Sequence, residues 1–370
     1  SLGGGIVDLA NKTWSAGNTI CTISYNGLTE NTSYTYQISG FQDTGGREMA
    51  AITGGYTFTT KILSTTWTPL GISTDWNDAR NWTNGIPATD SKVIIPERAS
   101  FPVLTTSTTI YSISFGAGAE LGRQDLLNYQ KAFVEYDFGT GNRSTHFRML
   151  SLPLKEAYPG DFTFGGYPDS YVQTLEVDNE GIGTWVSPAG GNTGVFSSGT
   201  GFVASLDPDN DPGKGLGLSG GILRLPFFDS ESDVPASVHS NHSYNSSLST
   251  FCNPNNASQC YDVSRSANGY QLAGGIVNIT PQFGQSGESS FALVGNPFMS
   301  TIDFDKLYDA NNLIKDYYQI WTVSGNAEGY ACYSSHGNFG IQLPEGMNSL
   351  LAPLQGFVVE RNASATGSLN

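Results

Sequence analysis

The chain has 370 residues, enough for two or three domains of ordinary size. Its formal net charge is −16, and no basic stripe offsets that charge, which argues against nucleic-acid partners and against docking on anionic lipid. No run of about 18 apolar residues occurs, so the sequence predicts no transmembrane helix and no direct membrane insertion.

Residue usage predicts an all-β fold. Gly occurs 45 times and charged residues make up only 14% of the chain. Short apolar runs are separated by Gly, Asn and Pro, a pattern typical of short strands joined by tight turns. Helical periodicity is confined to residues 303–313, where Asp303 is a candidate N-cap, and to a shorter window around Asp125–Tyr129.

Residues 1–61 contain alternating segments that predict strands at residues 19–25, 33–39 and 55–60. Their Tyr- and Thr-rich pattern resembles the C-terminal part of an immunoglobulin-like or fibronectin-like domain. Such a sandwich needs about seven strands and roughly 100 residues. We therefore expect its first strands to lie upstream, and we interpret both ends of the chain as positions inside a longer polypeptide.

Residues 62–130 hold short strands at close intervals, with no helix between them. This spacing favours a small β-solenoid or a sheet edge. Trp76 and Trp82 lie in this segment among polar neighbours. A flat indole suits either a sugar-binding platform or a core, and we favour the core.

Residues 131–370 predict a β-sandwich or jelly-roll-like region with an internal duplication, whose copies span 147–206 and 291–361. The segments 147–154 and 291–298 follow one rule: Phe, two variable residues, an aliphatic residue, a small residue, one more residue, Pro, then an apolar residue. Because Pro cannot donate to a ladder, we expect it to end a strand in each copy.

Two later landmarks complete the proposed copies. Each copy continues to a strand centred on a tryptophan, Trp185 in the first and Trp321 in the second, and closes with Gly-Phe-Val. We expect the two tryptophans to occupy equivalent strands and to point inward as core anchors.

Several motifs carry a family resemblance. Residues 76–87 read W-N-x-A-x-N-W-x-N-G-x-P, and residues 90–96 read D-x-x-V-I-I-P. Further matches are R-M-L-S-L-P-L, L-V-G-N-P-F and L-A-P-L-Q-G-F-V-V, which start at Arg148, Leu293 and Leu351. Together they resemble a pattern common in large surface proteins of Bacteroidetes, many of which look like type IX secretion cargo. The resemblance implies export and surface display, with no catalytic residues to carry over.

The strongest candidate metal site is the acidic segment 207–213. Asp207, Asp209 and Asp211 supply carboxylates at alternate positions, and Ca²⁺ prefers such oxygen ligands. The string resembles the calcium loops of thrombospondin-type repeats, but Pro212 stands where those loops have Gly. An acidic turn between strands is the alternative interpretation.

Cys252 and Cys260 flank an Asn-Pro-Asn-Asn turn, so two strands joined by that turn would bring them to disulfide distance. Free thiols remain the alternative. The other cysteines, Cys21 and Cys332, form no C-x-x-C pair or Cys/His cluster, so nothing suggests zinc.

Catalytic signatures are weak. No G-x-S-x-G nucleophile elbow occurs, and Asp and Glu are too plentiful for their spacing to single out a glycosidase pair. His239 and His242 lie in a Ser/Asn-rich stretch, and we interpret them as exposed loop residues. We expect no enzymatic activity.

The expected function is therefore non-enzymatic: a structural or adhesion module of a secreted or cell-surface protein, such as a stalk, a surface-layer-like unit or an adhesin segment. Its expected partners are other surface proteins or glycans. The alternative is a glycan-binding module of a polysaccharide-degrading system. An exposed row of aromatic residues in a groove would favour that alternative.

Overall fold

The structure is a computed structural model of the chain. It describes residues 6–15, 20–26, 28, 33–60, 64–69, 73–139, 146–157, 171–178, 182–187, 196–205, 222–226, 243–245, 250–253, 256–262, 267–283, 290–324, 327–336, 347–362 and 368–369. The chain divides into two compact units, Ser1–Thr65 and Thr66–Asn370. Strands dominate, and the all-β prediction is confirmed. Within the described residues, no helix is long and apolar enough to cross a membrane.

The first unit consists of two antiparallel strand pairs. The strands are β1 (Ile6–Ser15), β2 (Ile20–Asn26), β3 (Ser33–Ile38) and β4 (Ile52–Thr59), with β1 paired to β2 and β3 to β4. On the second pair, Tyr34 stacks on Phe58 and Tyr36 on Tyr56, with ring centroids 5.9 and 5.7 Å apart. These cross-strand aromatic pairs stabilise the ladder. The three strands predicted here are present, and the immunoglobulin-like topology stays a prediction.

The second unit opens with parallel ladders. Strand β5 (Ser64–Thr66) spans the boundary between the units. The next strands are β6 (Lys92–Ile95), β7 (Thr108–Thr109), β8 (Ser112–Phe115), β9 (Leu127–Asn128) and β10 (Lys131–Asp137). β8 pairs in parallel with both β6 and β10, and β7 pairs in parallel with β9. Successive passes of the chain thus stack on one another, which supports the predicted solenoid-like segment without establishing it. β10 opens the predicted third region, yet it pairs with β8 of the second.

A tryptophan cluster fills the core of this segment. Trp67, Trp76 and Trp82 are all buried, and Trp82 packs edge-on against the other two rings, at centroid distances of 5.0 and 4.8 Å. The Trp82 indole N–H donates to the Trp76 carbonyl over 2.8 Å. The core interpretation of Trp76 and Trp82 is confirmed, because neither ring is available to a sugar.

Two sets of six strands follow, separated by a further strand and a meander. The first set is β11 (Arg148–Ser151), β12 (Glu156–Ala157), β13 (Tyr171–Val177), β14 (Gly183–Val186), β15 (Phe196–Ser197) and β16 (Gly201–Ser205). Next come β17 (Ile222–Leu225), β18 (Ser243–Asn245), β19 (Thr250–Asn253) and β20 (Asn256–Asp262). The second set is β21 (Phe291–Gly295), β22 (Ile302–Asp303), β23 (Ile314–Ser324), β24 (Ala327–Ser334), β25 (Leu350–Leu351) and β26 (Gly356–Arg361).

The two sets share one strand order. The four-stranded sheets run β11-β16-β13-β14 and β21-β26-β23-β24, so both place the first, sixth, third and fourth strands of their set side by side. The remaining strands pair as β12-β15 and β22-β25, the second and fifth of each set. The shared order supports the predicted duplication, which stays a prediction.

The contacts between the sets are reciprocal. The Ser151 N–H donates to the Leu354 carbonyl, and the Gly295 N–H donates to the Gly199 carbonyl, each over 3.0 Å. Between the two sheets lies a small core of Met149, Val203, Leu293 and Val358. Pro153 and Pro297 each follow the end of the first strand of a set by two residues, as expected.

The tryptophan landmark is wrong. Trp185 lies on β14, the fourth strand of its set, whereas Trp321 lies on β23, the third strand of the other set. Trp185 is also 37% exposed and is not a core anchor. A short apolar motif predicts a strand, but it does not show which position that strand takes in its sheet. Two similar motifs can therefore lie on strands that are not equivalent.

The predicted helix is present as α1 (Phe304–Ala310), and Asp303 caps it by accepting from the Asp305 N–H over 3.2 Å. Phe304 is fully buried and lies in the second core of the unit, together with Tyr318 and Phe357. Short 3-10 helices occupy Ala79–Asn81, Gln124–Leu126 and Ala267–Tyr270. The middle one overlaps the second window predicted to be helical only at Asp125 and Leu126, because β9 begins at Leu127.

Candidate functional site

The site that stands out lies between the two like sheets. A cavity of about 290 Å³ opens there, which we call the aromatic groove. Its lining consists of Leu175, Val177, Gly183, Trp185, Phe291, Gln319, Tyr330 and Val358. The first four come from β13 and β14 of the first set, and the other four from β21, β23, β24 and β26 of the second.

Strand register shows how the two sets correspond around the groove. Gln173 of β13 lies opposite Val203, and Gln319 of β23 lies opposite Val358. Both valines close the Gly-Phe-Val triplet that starts the last strand of its set. Gln173 and Gln319 therefore occupy equivalent positions.

The exposed aromatic residues follow from that register. Two residues beyond each glutamine stand Leu175 and Trp321, and their hairpin partners are Trp185 and Tyr330. Trp185 and Tyr330 thus hold equivalent positions in the two sets, and each supplies an aromatic ring to the same groove.

Both rings stay accessible at the groove. Trp185 is 37% exposed and Tyr330 is 50% exposed. The Tyr330 ring is held edge-on against Trp321, at a centroid distance of 5.1 Å and an interplanar angle of 81°. Since Trp321 packs on the core between the two sheets, it fixes Tyr330 on a rigid support. Partial burial raises the pKa of the Tyr330 phenol above that of an ordinary tyrosine.

Three residues of the groove carry polar side-chain groups. The Trp185 indole N–H, the Gln319 amide and the Tyr330 hydroxyl make no hydrogen bond with any residue that the structure describes. An apolar concavity with a few uncommitted polar groups is the usual composition of a small-molecule site. At the second sheet, Glu328 of β24 contacts the Nδ1 atom of His146, which joins the two sets close to Tyr330.

A second cavity, of about 500 Å³, lies beside α1. Its lining is mainly aliphatic and includes Ile276, Ile279, Phe298 and Leu307, with Lys306 as a charged group. Ile276 is 80% exposed. The second cavity also holds Phe298 and Phe357, and Asp303 lines it beside Lys306. The aromatic groove differs in that its described lining contains no charged residue and includes two exposed aromatic rings, Trp185 and Tyr330.

The predicted calcium ligands Asp207, Asp209 and Asp211 lie outside the described residues, as do His239 and His242. Within the described part of the chain, no group of three or more His, Cys, Asp or Glu side chains is arranged to hold a metal ion. The Nδ1 atom of His336 lies 3.8 Å from an Asp316 carboxylate oxygen; the His336 side chain is half exposed, whereas the Asp316 side chain is mostly buried.

Sequence reasoning missed the aromatic groove. It assigned Trp185 to the core and did not single out Gln319 or Tyr330. The available signal was the alternation of apolar and polar residues in W-T-V-S at residues 321–324, which predicts a strand but does not show that Tyr330 is exposed.

Comparisons of the chain with protein-family models, with curated proteins and with solved structures find no match in any of the three.

Proposed function

We propose that this chain is a non-enzymatic module of a secreted or cell-surface protein, serving adhesion or structural assembly. The observation that carries the proposal is the pair of like four-stranded sheets packed face to face through Met149, Val203, Leu293 and Val358. Such a pair is a rigid, self-similar scaffold, and it presents edge strands and a groove to partners rather than a single asymmetric cleft.

Glu135, an acidic residue of the second unit whose pKa is raised, supports a structural role. Burial raises the pKa of Glu135, and the nearby Arg224 opposes that shift. Glu135 pairs directly with Arg224 across β10 and β17, and it lines neither cavity. Its burial is therefore a feature of sheet packing, whereas a catalytic carboxylate would be expected to face a cavity.

Glycan binding is the second candidate, and the aromatic groove favours it. Trp185 and Tyr330 are exposed aromatic rings in a concavity, which is the feature that separates a glycan-binding module from a purely structural one. The two roles are compatible, because an adhesin segment that binds glycans performs both.

The test uses beads coated with the folded full chain and presented to intact cells of the kind that make the protein. The account predicts that these beads attach more strongly than beads coated with the heat-unfolded chain or with albumin. Equal attachment of all three bead types would contradict an adhesion role.

A further inference from the structure

The aromatic groove carries an inference that deepens the proposed function and rests on it. We propose that the groove binds a neutral saccharide whose pyranose ring bears only equatorial hydroxyls, as in glucopyranose or xylopyranose chains, and that Trp185 and Tyr330 hold this ring from the two sheets.

Charge selects a neutral ligand. The molecule carries a net charge of −16, yet the eight residues that line the groove within the described part of the chain include no Asp, Glu, Lys, Arg or His. Tyr330, the one titratable residue among them, carries a phenol, which is neutral at physiological pH in an ordinary tyrosine. An anionic sugar would meet the acidic molecule without a compensating cation among these eight residues, so a neutral sugar is the better match.

The two aromatic rings select the shape of the sugar. Trp185 comes from the first sheet and Tyr330 from the second, at equivalent positions in register. A pyranose with equatorial hydroxyls presents C–H groups on both faces, so each face can pack on an aromatic ring. An axial hydroxyl makes one face polar and weakens that contact.

The unpartnered polar groups match the rim of such a ring. An indole N–H, a phenol and an amide together offer both donors and acceptors, and each sugar hydroxyl is both a donor and an acceptor. A lipid or an apolar peptide side chain would leave the Gln319 amide and the Trp185 N–H without partners. The polar groups therefore favour a saccharide over a purely apolar occupant.

Size limits how much of the glycan is held. The groove encloses about 290 Å³, close to the lower end of the roughly 300–1,000 Å³ typical of small-molecule pockets. One or two rings fill this space, and the rest of a chain extends into solvent. The groove therefore binds a short segment of a longer polysaccharide.

The experiment is calorimetric titration of the full chain with cellotetraose and with xylotetraose. The comparison ligand is β-1,4-mannotetraose, which has a free axial hydroxyl at C2 of each ring. We expect saturable binding of the first two and at least about tenfold weaker binding of the third. Trp185→Ala and Tyr330→Ala should each weaken binding by about tenfold or more, since each removes one aromatic ring.

Matched controls separate the groove from general effects. Trp14→Ala and Tyr56→Ala remove exposed aromatic residues of the first unit, and binding should not change. Gln319→Leu keeps the size of the side chain and removes its amide, so it should weaken binding while thermal unfolding stays unchanged. Should an aromatic variant fail to fold, Gln319→Leu and Tyr330→Phe carry the test.

Two results would overturn the inference: no saturable heat with cellotetraose or xylotetraose, or binding that persists unchanged in Trp185→Ala, Tyr330→Ala and Gln319→Leu. Repeating the bead assay with these variants keeps the two proposals apart. Attachment without any dependence on the groove would reject the saccharide proposal and leave the adhesion proposal standing. Failure of native beads to attach would reject adhesion, even where the soluble sugars bind.

Discussion

At the scale of single residues, glycines set how closely the two sheets approach. A Cβ atom on Gly356 would lie 2.6 Å from the Leu150 carbonyl oxygen, and one on Gly201 would lie 2.7 Å from the Leu293 carbonyl carbon. Real Cβ atoms do not approach backbone this closely, so only glycine allows the two strands to cross there. Gly201 and Gly356 begin the last strands of the two sets, so the same requirement acts twice.

We therefore expect Gly356→Ala to lower the free energy of unfolding by about 3 kcal/mol, because the added methyl group forces backbone apart in a packed region. Gly201→Ala should lower the free energy of unfolding by a similar amount. The matched control is Gly329→Ala on β24, where a Cβ meets nothing within 4 Å, so the change should stay within about 0.5 kcal/mol. Guanidinium denaturation measures all three, and equal stabilities of Gly356→Ala and Gly329→Ala would refute the close approach.

A buried tyrosine makes stability depend on alkaline pH. Burial raises the pKa of Tyr136 to about 12, whereas an unfolded tyrosine titrates near 10. The folded state therefore retains the proton more strongly. The stability that the protonated Tyr136 gives the folded state is fully present below pH 10 and is lost as the pH rises to about 12.

At pH 12 the free energy of unfolding of Tyr136→Phe should therefore exceed that of the parent chain by about 2 kcal/mol. At pH 8 the two free energies should differ little. Denaturant titrations at pH 8, 10, 11 and 12 measure the difference. A difference in the free energy of unfolding between the two proteins that stays constant over this pH range would contradict the assigned pKa direction.

At the scale of elements, sequence patterns located strands better than they paired them. The alternation in residues 33–39 predicted β3 (Ser33–Ile38), and the Asp303 cap predicted α1, because local side-chain chemistry determines both. Trp185 failed as a core anchor because its exposure depends on the facing sheet. The residues that face it, including Tyr330, lie more than a hundred positions away in sequence, and no local pattern shows them.

The β19–β20 hairpin gives the thiol prediction a geometric basis. Cys252 lies directly opposite Cys260 in this antiparallel pair. Opposed residues in such a pair have Cα atoms about 4.5–5.5 Å apart, within the range that a disulfide spans.

We predict that Cys252 and Cys260 are crosslinked in natively exported protein. Peptide mass spectrometry without reductant should find residues 252 and 260 joined, and finding both alkylated would exclude the bridge. Cys21 and Cys332 are free in the structure and serve as internal controls, because both should be alkylated after unfolding without reductant.

At the scale of the whole molecule, the two sets of six strands form the organising feature of the second unit. The same strand order and the same reciprocal hydrogen bonds, Ser151 to Leu354 and Gly295 to Gly199, recur in both. The sequence indicated this through two landmarks, the Pro-ended strand and Gly-Phe-Val, which lie where the two sets touch. The groove between the sheets was not predictable, because it exists only once they pack together.

A scaffold of this kind serves adhesion only if it is displayed outside the cell. The most direct measurement is protease treatment of intact cells that make the protein, followed by mass spectrometry of the released and retained peptides. The account predicts that peptides of this chain are released while cytoplasmic proteins stay intact. Protection of the chain until the cells are lysed would contradict a surface role.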